Sequence, residues 1–391
     1  MKTKFFKATF LVAAFAMTFA SCSSDDSGKD PIIPGPDVIE GTVLTGDITS
    51  DLLMPKGNYT LRGAVRVKDG ATLTIEAGSK ITVTVADQAA GTNVLLVEQG
   101  AKLMAEGTQT EPIIFTSENQ SAGASDGDWG GIVLHGRATI NGTSTNPLSE
   151  AGQLPYSGNN DMDSSGSLKY VRVEYAGVAS TDGNFEYNAF SFFACGSGTI
   201  LENLEAYKGA DDGFEFYGGT ANASNLLAIG MEDDSIDWDQ GYRGTLTNIA
   251  VYQLDNVGDF AFELSSRATE WNLLPRSTPT ISNVTVRGHN KANKHAFELK
   301  DGTAGIFTNL KVYNFTIGAA VSHQLNQVQD GTLKFNNITL TVSGEKAVNK
   351  VAESTVTNQE LATLLFSETA NATGANLSVF SGWSNIAQVT F

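Results

Sequence analysis

Six copies of one short pattern constrain this chain more than anything else in it. Asn203-Leu204, Asn225-Leu226, Asn248-Ile249, Asn283-Val284, Asn309-Leu310 and Asn337-Ile338 each sit in a run close to apolar, any, Asn, apolar, any, apolar. Between them lies a second strand-like run: Phe190-Ser191-Phe192, Phe214-Glu215-Phe216, Ile236-Asp237-Trp238, Phe262-Glu263-Leu264 and Phe297-Glu298-Leu299. Nearer the start, Val67-Lys68-Asp69-Gly70-Ala71-Thr72-Leu73 returns as Val97-Glu98-Gln99-Gly100-Ala101-Lys102-Leu103. Self-similarity at such periods marks a solenoid, in which each repeat contacts only its neighbours. The expected fold is therefore all-β, a right-handed parallel β-helix with a C-terminal cap. Coils stacked about 4.8 Å apart put Leu204, Leu226, Ile249, Val284, Leu310 and Ile338 in one aliphatic column. The six asparagines then form a ladder whose amides bond each other or the turn backbone. A β-propeller needs four antiparallel strands in each ~40–45-residue repeat, more than these units offer.

Composition agrees with strands. The 391 residues carry 40 Gly and are 41% hydrophobic and 17% charged, which excludes a disordered chain. A formal charge of −18 excludes nucleic acid as a partner, because neutralising phosphates takes a basic face.

Residues 1–21 read as a lipoprotein signal peptide, with Lys2, Lys4 and Lys7 before an apolar run from Ala8 to Ala20 and a lipobox-like Phe19-Ala20-Ser21-Cys22. Lipidation is expected at Cys22, with the outer membrane as the lipid partner. Residues 22–38, acidic and then Pro-rich, read as a flexible tether, residues 39–345 as the β-helix and residues 346–391 as the cap, with a short helix from Glu360 to Phe366. An acidic stretch after the lipid cysteine resembles the surface-export signal of Bacteroidetes lipoproteins, which implies that the body faces outside the cell. Cys195 then has no intrachain partner, and a small buried residue is expected there.

In the second strand type the middle residue should point away from the core, since side chains alternate. Glu215, Asp237, Glu263 and Glu298 then stack as an acidic row behind Ser191, flanked at the incoming turn by Asp211, Asp212, Asp233 and Asp234. Like charges one coil apart persist only with cations, basic partners or shifted pKa values. Arg243, Arg267, Lys294 and Lys300 are the basic residues at hand. An oxygen-rich set of this kind suits Ca2+, with Asp212, Glu215, Asp234 and Asp237 as the central ligands, and no other cofactor is called for. Paired carboxylates also suit glycoside hydrolysis, whereas ion pairing with the basic residues would make the row structural. Tyr217, Tyr242, Trp271 and Tyr313 are read as outward aromatics able to stack on sugars or contact proteins, and Trp238 as core. The four histidines, His135, His289, His295 and His323, form no recognisable catalytic motif.

Gly196-Ser197-Gly198-Thr199, the run Ala210-Asp211-Asp212-Gly213-Phe214-Glu215-Phe216-Tyr217-Gly218-Gly219-Thr220, the run from Asp233 to Gly244, and Asp128-Trp129-Gly130-Gly131 resemble a group of uncharacterised secreted or lipid-anchored Bacteroidetes proteins. The resemblance covers about residues 55 to 320 and supports the solenoid, but implies no activity. The leading expectation is a surface-anchored, non-enzymatic, monomeric lipoprotein binding an extracellular glycan or protein, as an adhesin or a nutrient-capture accessory beside an outer-membrane transporter. The binding residues expected are Asp211, Asp212, Glu215, Asp233, Asp234, Asp237, Glu263, Glu298, Tyr242 and Arg243. The alternative is a polysaccharide lyase or glycoside hydrolase of the same fold.

Overall fold

The structure, a computed structural model, describes residues 35–85, 93–142, 147–178, 186–289 and 294–391. The expected signal peptide, Cys22 and most of the tether lie outside the described residues. From Pro36 to Phe391 the chain forms one unit, and its 25 described strands join in a single sheet whose strand pairs are all parallel. This is a right-handed parallel β-helix. The body starts slightly earlier than expected, because Asp37–Val38 already pairs with Leu52 and Leu53.

The repeats set the register. Val67 lies opposite Val97 and Leu73 opposite Leu103. Leu204, Leu226, Ile249, Val284, Leu310 and Ile338 follow one another coil by coil, each fully buried. Beside this column run aromatic stacks, Phe190 on Phe214 at 5.0 Å and Phe262 on Phe297 at 5.1 Å. Trp238 is buried among them, as expected.

The asparagines have a second role that periodicity does not reveal. All six take left-handed backbone angles, with φ between 53° and 64°, and each bends a long strand, such as Ile200–Tyr207 or Asn222–Ile229, into two faces of the coil. In the early coils that corner is a loop between separate strands, Thr72–Ile75 and Lys80–Val83. Asparagine is the side-chain-bearing residue that best tolerates this conformation, and its amide also reaches the next coil. Bonds of 3.0 and 2.8 Å link Asn203, Asn225 and Asn248, and bonds of 2.7 and 3.3 Å link Asn283, Asn309 and Asn337. Burial varies: Asn203 and Asn248 are buried, whereas Asn337 is exposed. Tyr170, at φ 48°, holds the same corner one coil before Asn203. Asn248→Leu should therefore cost about 1–3 kcal/mol, from left-handed strain and lost hydrogen bonds. An unchanged thermal midpoint would contradict that role.

Residues 346–391 do more than cover the open end. The helix Asn358–Leu365, opened by a Thr357/Glu360 capping box, buries Leu361 and Leu365 against the last coil. The following segment turns back along the flank. The Thr373 amide donates to Asn309 Oδ1 at 2.9 Å, the Asn376 amide to Asn248 Oδ1 at 2.6 Å, and the Asn385 amide to Glu205 Oε1 at 2.7 Å. The asparagine ladder is thus the rail on which a C-terminal strap lies.

Candidate functional site

The acidic row is a product of register. Ser191, Glu215, Asp237, Glu263 and Glu298 lie opposite one another on successive coils, on the face away from the aromatic core. Three residues earlier in each coil a second file runs through Asn188, Asp212, Asp234, Phe260 and His295. Its members brace the turns: Asn188 Oδ1 accepts from the Asp212 amide at 3.2 Å, Asp212 Oδ1 from the Asp234 amide at 2.9 Å, and Asp234 Oδ1 from the Phe260 amide at 2.6 Å. One oxygen of each aspartate therefore fixes the next coil while its carboxyl group faces the row.

The two files converge in three overlapping triads, Asp211/Asp212/Asp233, Asp212/Glu215/Asp237 and Asp234/Asp237/Glu263, each with its carboxylate oxygens within 4.8 Å of one another. Asp212 and Asp234 are buried. Glu215 and Asp237 keep some exposed surface, yet Asp237 Oδ1 is cut off from solvent and accepts no hydrogen bond, as is Asp239 Oδ1. Burial first, and then the neighbouring carboxylates, push Asp211, Asp212, Glu215, Asp233, Asp234, Asp237 and Asp239 up. Asp211 is raised to about 7, beside Asp233, and Asp239 to about 8, beside Glu150. Asp212, Glu215, Asp234 and Asp237 are all raised well above the usual carboxylate range.

Basic groups meet the row at one end only, among the described residues. Lys300 bonds Glu263 at 2.8 Å, and Lys294 pairs with Asp259. Glu298 belongs to the row by position but not by chemistry. Against the burial that would push it up, His295 at 2.8 Å, Lys350 at 2.9 Å and Ser322 at 2.9 Å hold its carboxyl at about 2. It is a satisfied ion pair rather than a ligand.

Two expected binding residues lie elsewhere. Tyr242 is fully buried, stacked on Phe216 at 4.6 Å with its hydroxyl donating to the Ala221 carbonyl. Strand alternation does not extend into its turn. Arg243 pairs with Asp161 at 3.0 Å and bonds the Gly241 carbonyl, so it does not neutralise the row. Tyr217 points outward on the face it shares with Glu215, but it is buried there, with its hydroxyl on Glu150. Cys195 is buried and free, its thiol pushed up to about 12 by burial.

The site also includes groups that the sequence reading left out. Asp239, two residues beyond Asp237, shares its face and was legible from the alternation of Asp237-Trp238-Asp239. Glu150 arrives from a distant loop and carries no signal in the sequence. The glycine-rich motifs prove structural: a side chain at Gly219 would meet the Cys195 carbonyl at 2.4 Å, and one at Gly244 the Ala221 carbonyl at 2.0 Å.

The all-oxygen donor set fits a hard divalent cation, and the unpaired oxygens of Asp237 and Asp239 are groups such an ion would satisfy. Fold and row together define a β-helix protein with a carboxylate-lined face. The chain belongs to the family described as the pectate-lyase like beta helix domain, which it matches over residues 46–385. No curated protein matches it. Two solved structures are similar. One, described as "a new PL6 alginate lyase complex with trisaccharide", is 11% identical with a TM-score of 0.36, over 75% of this chain and 65% of that one. The other, "Crystal structure of Agl-KA catalytic domain", is 12% identical with a TM-score of 0.28, over 77% and 62%. The chain thus spans less than two thirds of either.

Proposed function

We propose that this protein is a lipid-tethered β-helix that holds an extracellular glycan on a calcium-loaded carboxylate row. The observation that carries the reading is the set of three overlapping triads, whose carboxyls crowd one another too closely to ionise together without a cation. Asp212, Glu215, Asp234, Asp237 and Glu263 would hold the ion. Bound Ca2+ would supply a positive surface on a body whose net charge otherwise repels acidic sugars. The coil spacing of about 4.8 Å offers repeated contacts to a linear chain.

Family membership favours a second reading, a polysaccharide lyase or hydrolase, in which a protonated acid of the row donates to the leaving oxygen. Lys300 does not fit as its base: although burial pulls it down, its bond to Glu263 leaves it raised overall and protonated. Incubation with a panel of acidic and neutral polysaccharides decides between the two. Retention without new reducing ends or unsaturated product fits the binding reading. Turnover that Asp237→Asn abolishes fits the enzyme.

Tethering rests on the basic start, the short apolar run and the Ser21-Cys22 junction. It puts the protein on the outer membrane, facing outward, as a monomer beside a glycan transporter. Cys22→Ala should move the protein from the detergent phase to the aqueous phase, and continued partitioning into detergent would contradict lipidation.

A further inference from the structure

We propose that the loop around Trp271 is a separate, cation-independent subsite for a neutral sugar ring. The inference extends the glycan-binding reading but stands on different residues. Trp271 is half-buried and lines an open cavity of about 430 Å³ together with Thr269, Glu270, Asn272 and Leu273. Its indole lies flat on the His323 imidazole, with ring centres 4.8 Å apart and planes at 10°. His323 is in turn fixed by Asp301 at 2.7 Å, and Asp301 by the Ser265 hydroxyl at 3.2 Å.

The loop backbone is fixed as well. Arg276 donates to the Trp271 carbonyl at 2.8 Å and to Asn272 Oδ1 at 3.2 Å. Thr269, immediately before the pair Glu270-Trp271, has φ 67°, which is costly for a β-branched residue and is held only where the surroundings impose it. The result is an aromatic plate supported from behind, set in advance, and bordered by a carboxylate and an amide.

That chemistry selects the ligand class. An aromatic plate takes the C–H face of a pyranose, while neighbouring carboxylate and amide groups take its hydroxyls, the mix of apolar surface and few polar groups typical of small-ligand sites. Glu270 beside the plate, and the negative body around it, disfavour a carboxylated sugar at this position. A neutral hexose unit fits.

The test uses affinity electrophoresis of the full chain through gels containing starch, glucomannan or mixed-linkage β-glucan, with and without chelator. The wild type should be retarded in at least one gel, to the same extent with chelator present. Trp271→Ala should weaken that retardation at least about tenfold, the loss expected for a dominant aromatic contact, with its thermal midpoint unchanged. Trp271→Phe should keep most of it. No retardation of the wild type in any neutral gel would overturn the inference, as would a Trp271→Ala variant that binds like the wild type. Retardation abolished by chelator or by Asp237→Asn, and untouched at Trp271, would assign glycan binding to the acidic row alone. Binding lost at Trp271 and indifferent to Asp237→Asn would leave this inference standing without the row.

Discussion

Trp383→Ala should destabilise the protein by about 3–5 kcal/mol, the cost of truncating a large buried aromatic, although it lies beyond the last coil. Trp383 is 1% exposed. Its ring meets Tyr170 edge-on at 5.6 Å, packs beside Phe380, and joins Tyr207, Leu227, Ile229 and Ala250 in a cluster on the outer flank of the coils. Its indole N–H donates to the Val379 carbonyl at 2.8 Å. Beyond it, Asn385 donates to Glu205, which also pairs with Arg172 at 3.1 Å. Losing the tryptophan leaves a cavity in that cluster and loosens the strap that ties late coils to early ones. Chemical denaturation should show a lower midpoint, and because repeat arrays unfold piecewise when their couplings weaken, the transition should also broaden. A loss under about 1 kcal/mol would mean that the strap is a surface ornament.

The strap marks the limit of what the sequence shows. The column from Leu204 to Ile338 and the asparagine ladder were legible because neighbours one coil apart impose the same residue type at every turn. Residues 369–391 obey no such constraint: they lie across the coils, so each meets a different partner, and Asn385 meets Glu174 at 3.1 Å from far away in the chain. The acidic row was legible for the same reason as the ladder, down to its register. Its environment was not, since Glu150 comes from a loop and Tyr242 sits in a turn where alternation lapses. Reading carboxylates as outward was correct for the strand but says nothing of the loops that shelter them.

Those sheltered acids lead to the second large effect, a stability that falls as pH rises when divalent cations are removed. An acid raised in the folded state contributes stability that is fully present below its unfolded pKa, near 4, and that is lost as pH climbs towards its folded value. Asp211 and Asp239 place the end of their loss at about 7 to 8, and Asp212, Glu215, Asp234 and Asp237, also raised, add to it in the same direction. Each group protonated in the fold and ionised in the unfolded chain contributes a slope of about 1.4 kcal/mol per pH unit. Glu298 works in the opposite sense, and its share is lost only as pH falls towards 2. In chelator, the thermal midpoint should therefore drop from pH 5 to pH 9. With calcium the ion replaces the protons and the drop should largely vanish. A flat profile in chelator would mean that the row is already neutralised by its own lysines.

Calcium titration of chelator-treated protein by isothermal calorimetry at pH 7 decides whether the row is a calcium site. A calcium-loaded row predicts saturable binding with release of protons, since the ligands must ionise to bind. It also predicts a stability gain of about 2.7 kcal/mol once free calcium reaches roughly a hundred times its dissociation constant, and loss of both in Asp212→Asn/Asp237→Asn. No binding heat in any buffer, together with one and the same thermal midpoint in calcium and in chelator, would contradict it.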